Sequence, residues 1–223
     1  MPLTIAIDGP VGAGKSTVSD AVAQRLGILH LDTGAMYRAV GLAALENGVS
    51  PKDAPAVCRL LEEGKAQVDV RYENGKQITL LNGRDVSGSI RTPEVSMAAS
   101  DVSVHKEVRR RLVQRQQEIA RSQSMLLDGR DIGTVVLPNA TVKIYLTASP
   151  ESRARRRMLQ MREKGQEADF DEILSQVNER DWQDTHREND PLRRAADAEL
   201  VDSSELTFDE TVDAILSLVE ARA

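Results

Sequence analysis

Short apolar runs alternate along the chain with stretches in which apolar residues recur at helical spacing. Residues 3–8 predict a buried strand that ends at a glycine-rich turn. Val18, Val22 and Leu26 recur every four residues and predict the helix that follows, with Gly27 as its stop. Further strands are predicted at 28–31, 125–128, 141–147 and 198–202. This alternation of strands and helices is typical of a parallel sheet covered by helices.

Residues 66–90 follow a different pattern. Apolar and polar positions alternate there, and Asn74-Gly75 interrupts the alternation. Because Asn-Gly between alternating runs is a strong hairpin signal, we predict an antiparallel insert, with Asn82-Gly83 allowing a third short strand. After the insert, helical spacing returns, and Thr207 with Glu210 predicts a capping box for the last helix.

Composition narrows the class of protein. The 223 residues carry a net charge of −6 and only six aromatic side chains, which argues against a nucleic-acid binder. No apolar run approaches the length that crosses a bilayer, no secretory leader is recognisable, and Cys58 is the only cysteine. We therefore expect a soluble, cytoplasmic single domain without nucleic-acid or membrane partners. The 22 arginines against 7 lysines favour phosphorylated ligands, because the guanidinium fork grips phosphate.

The first strand runs into a complete phosphate-loop motif, G-x-x-x-x-G-K-[ST], formed by Gly9, Pro10, Val11, Gly12, Ala13, Gly14, Lys15, Ser16 and Thr17. Glycines let backbone N–H groups wrap around phosphates, and the following helix adds the positive end of its dipole. We predict an ATP site in which Lys15 reaches the β- and γ-phosphates and Ser16 binds Mg²⁺. The loop lacks the G-x-G-x-x-G spacing of a dinucleotide site.

Charged residues follow two other strands. Arg38 belongs to the segment after the second strand, and Arg130 to Asp128-Gly129-Arg130-Asp131 after the third core strand. Ligands of open α/β sheets bind at the carboxyl ends of strands, so both arginines are candidates for phosphate binding. A structural role for each remains open.

A stripe along one predicted helix begins apolar and becomes charged. Its members, spaced by four, three, four and three residues, are Ile173, Val177, Arg180, Asp184 and Arg187. We expect a helix that packs on the core at one end and lines a polar cleft at the other. The alternative is a buried structural ion pair.

A basic run, Arg153–Arg157 with Lys164-Gly165, predicts a lid that donates arginine to the transferring phosphate. A plain solvated helix is the alternative. His30, His105 and His186 lack metal-ligand spacing and are assigned structural or surface roles.

Several segments together resemble the bacterial-type cytidylate kinases, which are P-loop nucleoside-monophosphate kinases. The segments that carry the resemblance are Ile7-Asp8-Gly9-Pro10 with the phosphate loop, residues 32–38, 85–87, 90–92, 98–100, 128–136, 156–160 and 179–181. The resemblance implies an α/β fold: a five-stranded parallel-sheet P-loop kinase core with a small antiparallel β insert and a helical lid. It also implies one domain over 1–223, with the monophosphate-binding insert at about 35–100 and the lid at about 153–168.

The resemblance also implies residue roles. Ser100, Arg109 and Asp131 would read the cytosine edge, while Thr33, Arg38 and Arg130 would hold the monophosphate. Arg180 and Arg187 would bridge the phosphates, and Asp184 would hold the ribose. The implied catalytic set comprises Lys15, Arg38, Arg130, Arg156, Arg180 and Arg187. The family often has serine where Thr33 stands and a small or polar residue where Val11 stands. Threonine keeps the hydroxyl, and Val11 is a loop position that acts through its backbone.

These inferences converge on Mg²⁺-ATP and CMP or dCMP as the ligands, with ADP and CDP or dCDP as products. We expect the protein to be a monomer. Two rivals remain open. One is a P-loop kinase for another small molecule, such as a shikimate-type kinase. The other is a nucleotide-dependent switch, against which the absence of a guanine-reading Asn-Lys-x-Asp segment weighs.

Overall fold

The computed structural model of the chain describes residues 2–121, 123–163 and 165–222. By internal contacts the chain divides into two compact units. The first, here called the sheet unit, comprises Met1–Ile28 and Met125–Ala223. The second, the insert unit, is Leu29–Ser124. Among the described residues, no helix has the length and apolar character needed to cross a membrane.

The elements confirm the predicted alternation of strands and helices. In chain order they are β1 (Thr4–Asp8), α1 (Lys15–Leu26), β2 (Leu29–Asp32), α2 (Thr33–Glu46), α3 (Ala54–Glu62), β3 (Val68–Glu73), β4 (Lys76–Leu81), β5 (Arg84–Asp85), α4 (Pro93–Val102), α5 (Lys106–Ala120), β6 (Met125–Gly129), β7 (Val142–Thr147), α6 (Pro150–Glu163), α7 (Phe170–His186), β8 (Glu199–Asp202) and α8 (Phe208–Glu220).

The sheet unit is built on parallel strands in the order β6-β1-β7-β8, and β2 is the fifth strand of the same sheet. Residue Ile5 on β1 pairs with Leu126 on β6 and with Val142 on β7, so the three strands are in register. All three side chains are fully buried. The parallel five-stranded sheet predicted from the sequence is confirmed.

Helices α1 and α8 cover one face of this sheet. Val22 of α1 and Val212 and Ile215 of α8 join Ile144 of β7 in one buried apolar cluster. The predicted capping box is present, because the side chains of Thr207 and Glu210 each accept the other residue's backbone N–H. Local capping and apolar spacing therefore agree on where α8 begins and which side it buries.

Helices α6 and α7 lie next to each other in the sheet unit. Ala154 of α6 packs with Ile173 and Val177 of α7 in a small separate apolar cluster. The charged stripe was predicted to continue along α7 as far as Arg187. The helix ends at His186, and the backbone of Arg187 is extended, with ψ of 143°. Arg187 thus lies just beyond the helix, and the prediction of one continuous helical stripe is wrong at its last member. Lys164 of the predicted lid lies outside the described residues.

The insert unit holds helices α2 to α5 and the antiparallel sheet β3-β4-β5. Asn74 and Gly75 form the two-residue turn between β3 and β4, with φ of 51° and 76°, which confirms the predicted hairpin. Helices α2 and α4 approach closely at Gly41. A Cβ there would lie 2.9 Å from the backbone nitrogen of Ala99, so only glycine fits this crossing.

Candidate active site

The phosphate loop joins β1 to α1 in the strand–loop–helix arrangement that the motif requires. Gly12 and Gly14 adopt φ of 75° and 85°, a region that side chains disfavour. A Cβ on Gly9 would stand 1.9 Å from the carbonyl oxygen of Leu146. The glycines are therefore needed for the path of the loop.

Lys15 is the first residue of α1, and its side chain folds back over the loop. Its Nζ donates to the carbonyl oxygen of Pro10 at 2.7 Å, and the residue is buried. Burial, followed by the positive charge of Arg130, lowers the pKa of Lys15 to about 7, while Asp128, Asp184 and Asp8 work in the opposite direction. The ammonium group thus shares one electrostatic environment with charged residues from β1, β6 and α7.

Asp128 at the end of β6 is a site residue that motif reading did not single out. It is buried, and its Oδ2 accepts a hydrogen bond from the Ser16 hydroxyl at 3.0 Å. A hydroxyl and a carboxylate at this distance are hard oxygen donors of the kind that Mg²⁺ binds together with water and phosphate oxygens. The signal was present in the sequence, because Asp128 ends the apolar strand predicted at 125–128, and that strand belongs to the same sheet as the strand before the loop.

The small number of protein oxygens at this place is also typical of a Mg²⁺ site. Nowhere in the described ranges do three or more histidine, cysteine, aspartate or glutamate side chains cluster as a metal site. Mg²⁺ in phosphate-transfer sites typically takes one or two protein oxygens and completes its shell with water and substrate phosphates. Ser16 and Asp128 match that requirement.

Arg130 and Asp184 form a tight ion pair. The Nε of Arg130 donates to Asp184 Oδ2 at 2.6 Å, and the Asp184 side chain is only 11% exposed. Burial acts to raise the pKa of Asp184, but the charges of Arg130, Arg187 and Arg180 outweigh it and hold this pKa below its ordinary value. The carboxylate therefore stays ionised at neutral pH amid three guanidinium groups.

Asp131 and Arg187 form a second pair of opposite charges. The carboxylate of Asp131 is 3.5 Å from a guanidinium nitrogen of Arg187, and both side chains are nearly buried. Arg187 also donates through Nε to the carbonyl oxygen of Asp190 at 2.8 Å. The structure thus brings together five charged residues predicted from the sequence, namely Arg130, Asp131, Arg180, Asp184 and Arg187.

The arginines of α6 are held in two ways. Arg153 is buried and donates to Asp181 of α7 at 3.0 and 2.5 Å, and to the carbonyl oxygen of Val11 in the phosphate loop at 2.9 Å. Arg156 donates to the hydroxyl and to the carbonyl oxygen of Ser203 after β8. Arg153 is therefore an internal link of the sheet unit, while Arg156 binds the end of a neighbouring strand.

A cavity of about 320 Å³ lies in the sheet unit beside the loop residue Pro10. Its walls come from the carboxyl ends of β7 and β8 and from α7, and they include Thr147, Asp181, Thr185 and Asp202. Hydroxyls, carboxylates and the guanidinium of Arg153 thus make up the polar part of its lining.

In the insert unit, Arg38 folds back onto the start of its own helix. Asp32 is the N-cap of α2, accepting from the backbone nitrogen of Ala35 at 2.9 Å, and its other oxygen accepts from Arg38 at 2.6 Å. A Cβ on Gly34 would lie 3.3 Å from the same guanidinium. The Nε of Arg38 is buried with no hydrogen-bond partner in the described parts of the chain, so a strong donor is available there.

Arg109 and Ser100 lie on neighbouring helices of the insert unit. Arg109 is only 2% exposed, and its guanidinium carbon is 5.6 Å from the centre of the Tyr37 ring. Ser100 is half-buried near the end of α4, where its carbonyl oxygen accepts from the Ser103 hydroxyl at 2.8 Å. Thr33 is buried in the first turn of α2.

Comparison with known proteins assigns this chain to a family. The family model described as cytidylate kinase matches residues 5–221. The cytidylate kinase of Caldicellulosiruptor bescii is 49% identical over 216 residues, covering 97% of this chain and 95% of that protein. The cytidylate kinase of Geobacter sulfurreducens is 46% identical over 222 residues, covering 99% of this chain and 94% of that protein.

Two solved structures share the fold at low sequence identity. The crystal structure of TT1252 from Thermus thermophilus has a TM-score of 0.50 at 19% identity and covers 99% of this chain and 97% of its own. An uncharacterized protein from Eubacterium ventriosum has a TM-score of 0.55 at 13% identity, with 99% of both chains covered. With the phosphate loop in its strand–loop–helix setting and sequence identity close to one half over nearly the whole length, the chain belongs to the cytidylate kinase family.

Proposed function

We propose that this protein transfers the γ-phosphoryl group of ATP to CMP or dCMP, giving ADP and CDP or dCDP. The relatives named cytidylate kinase support the reaction, since they match over nearly their full length. Within the sheet unit the proposal depends on one observation above others. The Arg130–Asp184 pair lies close enough to the loop lysine for both charges to act on the pKa of Lys15.

The phosphate loop is proposed to hold the β- and γ-phosphates of ATP. Backbone N–H groups of residues 11–17, which include the start of α1, supply donors, and Lys15 supplies a cation at the transferring group. Ser16 and Asp128 would hold Mg²⁺, which would supply positive charge next to the phosphates of ATP. Positioning and charge neutralisation then provide most of the rate acceleration.

The acceptor is proposed to be held by guanidinium groups. Arg38, Arg130 and the hydroxyl of Thr33 bind its phosphate, and Arg180 and Arg187 bridge the two nucleotides. An acceptor phosphate is already ionised near neutral pH, so its oxygen attacks without a side chain that removes a proton. Arg156 of α6 is proposed to release its hydrogen bonds to Ser203 and to place its guanidinium group next to the transferring phosphoryl group.

Recognition of the base is proposed to come from complementary hydrogen bonding. Asp131 accepts from the exocyclic amine of cytosine, Arg109 donates to ring acceptors, and Ser100 adds a hydroxyl. Asp184 holds the ribose.

We further propose that the protein acts as a monomer in the cytoplasm, with nucleotides as its only partners.

An ATP-coupled turnover screen over CMP, dCMP, UMP, AMP and shikimate tests the function. We expect CMP and dCMP to give the highest kcat/KM. Preference for shikimate would replace this proposal with a small-molecule kinase of another kind. ATP binding without turnover of any acceptor would favour a nucleotide-dependent switch.

The Asp131→Ala variant tests the base contact within the same screen. We expect the preference for CMP over UMP to fall by about tenfold or more, because the accepting carboxylate is lost. The affinity for ATP should stay unchanged. An equal loss of ATP affinity would show that Asp131 has been given the wrong role.

A further inference from the structure

Asp8 lies where β1 meets the phosphate loop, and its side chain contacts the segment that follows β6. It is the last residue of β1, and Gly9, the first residue of the phosphate loop, follows it directly. Its backbone pairs with Gly129 on β6 and Tyr145 on β7, and the residue is 4% exposed. A buried acidic side chain in this position requires specific partners.

Those partners are two consecutive backbone amides. Asp8 Oδ1 accepts from the N–H of Ile132 at 2.7 Å, and Oδ2 accepts from the N–H of Gly133 at 2.8 Å. These amides directly follow Arg130 and Asp131, and they open a short π-helical turn over Ile132–Val136. Each oxygen of Asp8 is thus committed to the segment that carries two proposed acceptor-binding side chains.

The turn itself reinforces this anchoring. The carbonyl oxygen of Asp131 accepts from the N–H groups of Val135 and Val136 at 2.9 and 3.2 Å. The backbone on the carboxyl side of Asp131 is therefore fixed twice, once by its own turn and once by Asp8. Any displacement of the Ile132 and Gly133 amides moves the Asp131 side chain with them.

Only a carboxylate satisfies this geometry. It offers two acceptor oxygens, whereas asparagine offers one oxygen and places an NH₂ donor against the second N–H. The space around the Asp8 carboxylate is also restricted at Gly133. A Cβ on Gly133 would lie 3.3 Å from Asp8 Oδ2 and 3.2 Å from Cδ of Lys143.

We propose that Asp8 is a positioning residue that holds the Arg130-Asp131 segment in place beside the phosphate loop, so that acceptor affinity and base selection depend on it. The inference rests on the proposed function of Arg130 and Asp131. It goes beyond that function because Asp8 acts through the two backbone amides and needs no contact with either nucleotide.

The Asp8→Asn variant tests the proposal. We expect KM for CMP to rise about tenfold and the CMP-over-UMP preference in kcat/KM to narrow, because one of the two amides loses its acceptor. KM for ATP should change less than about threefold, since the phosphate loop keeps its glycines and its lysine. The exposed Asp171 at the start of α7 provides the matched control, Asp171→Asn, with all three values unchanged.

A second variant approaches the same bond from the opposite side. Gly133→Ala places a methyl group against the Asp8 carboxylate, and we expect the same selective rise in KM for CMP. Gly88→Ala is its control, because a Cβ there meets no described atom within 4 Å. If Asp8→Asn does not fold, as judged by circular dichroism, Gly133→Ala decides the question alone.

The outcomes separate the two proposals. Wild-type values for both variants would overturn the role of Asp8, and so would equal increases in KM for CMP and ATP, which would indicate general support of the fold. A wild-type protein that does not phosphorylate CMP would instead overturn the proposed function. The same KM comparison then proceeds with the acceptor that the screen identifies, and a selective rise for that acceptor supports the positioning role.

Discussion

Arg153 of α6 and Asp181 of α7 form a two-point ion pair, in which Nη1 donates to Oδ1 at 3.0 Å and Nη2 donates to Oδ2 at 2.5 Å. The same guanidinium donates to the carbonyl oxygens of Ala148 and Val11, each at 2.9 Å. One buried side chain therefore connects two helices to the phosphate loop. This arrangement explains why the arginine that begins a basic run is almost completely buried.

Removing the carboxylate should destabilise the fold. In Asp181→Asn, the buried charge of Arg153 loses its counter-ion, and we expect the free energy of unfolding to fall by about 3 kcal/mol. Urea denaturation at neutral pH measures it. Glu179→Gln, at an exposed position on the same helix, should change the free energy by less than about 0.5 kcal/mol. Equal small changes in both variants would contradict a structural role for the pair.

The Lys15→Ala variant should lose turnover rather than folding. The variant removes the one loop cation proposed to face the transferring phosphate, and we expect kcat to fall about 100-fold or more. Steady-state kinetics with ATP and CMP measures the effect. Lys52→Ala removes an exposed lysine and should keep wild-type kinetics. A kcat within twofold of wild type in Lys15→Ala would rule out the proposed role of the lysine.

The Asp128→Asn variant should change the requirement for Mg²⁺. Asn keeps one oxygen but loses the charge beside the Ser16 hydroxyl, and we expect the Mg²⁺ concentration for half-maximal rate to rise about tenfold. Titrating Mg²⁺ at fixed ATP and CMP measures the shift. An unchanged Mg²⁺ curve together with a lower kcat would place Asp128 outside the metal site.

Asp8 should also produce a pH-dependent difference in stability. Burial, together with the charge of Asp131, raises its pKa to about 6, although the amides of Gly133 and Ile132 and the charge of Lys15 act to lower it. Since the folded-state pKa exceeds the ordinary value of 3.8, protonation stabilises the fold below about pH 4, and this contribution disappears as the pH rises through 6.

The Asp8→Asn variant does not titrate and provides the reference. We expect the free energy of unfolding of the wild type, relative to this variant, to fall by about 1 kcal/mol between pH 5 and pH 7.5. Urea denaturation of both proteins at the two pH values measures the change. A difference that rises with pH would show that the pKa of Asp8 is lowered in the folded state.

Much of the fold could be predicted from the sequence, because many of its turns and helix ends depend on neighbouring residues. The Asn74-Gly75 turn, the end of α1 at Gly27 and the capping box of α8 each depend on residues within a few positions of one another. The phosphate loop belongs to the same class, because its glycines, its lysine and the helix start form one contiguous segment. Arg187 was placed inside α7 because apolar and charged spacing does not reveal where a helix ends.

The sequence by itself determined the class of fold, the nucleotide loop and the family, since these depend on short motifs and on periodic burial. Only the tertiary structure decided which of many similar charges pair. Ser16 donates a hydrogen bond to Asp128, 112 positions along the chain, and Asp8 accepts one from Ile132, 124 positions along it. Arg153 pairs with Asp181 and not with another carboxylate of α7. Strand order and helix packing set these distances, and a linear pattern of charges carries no information about either.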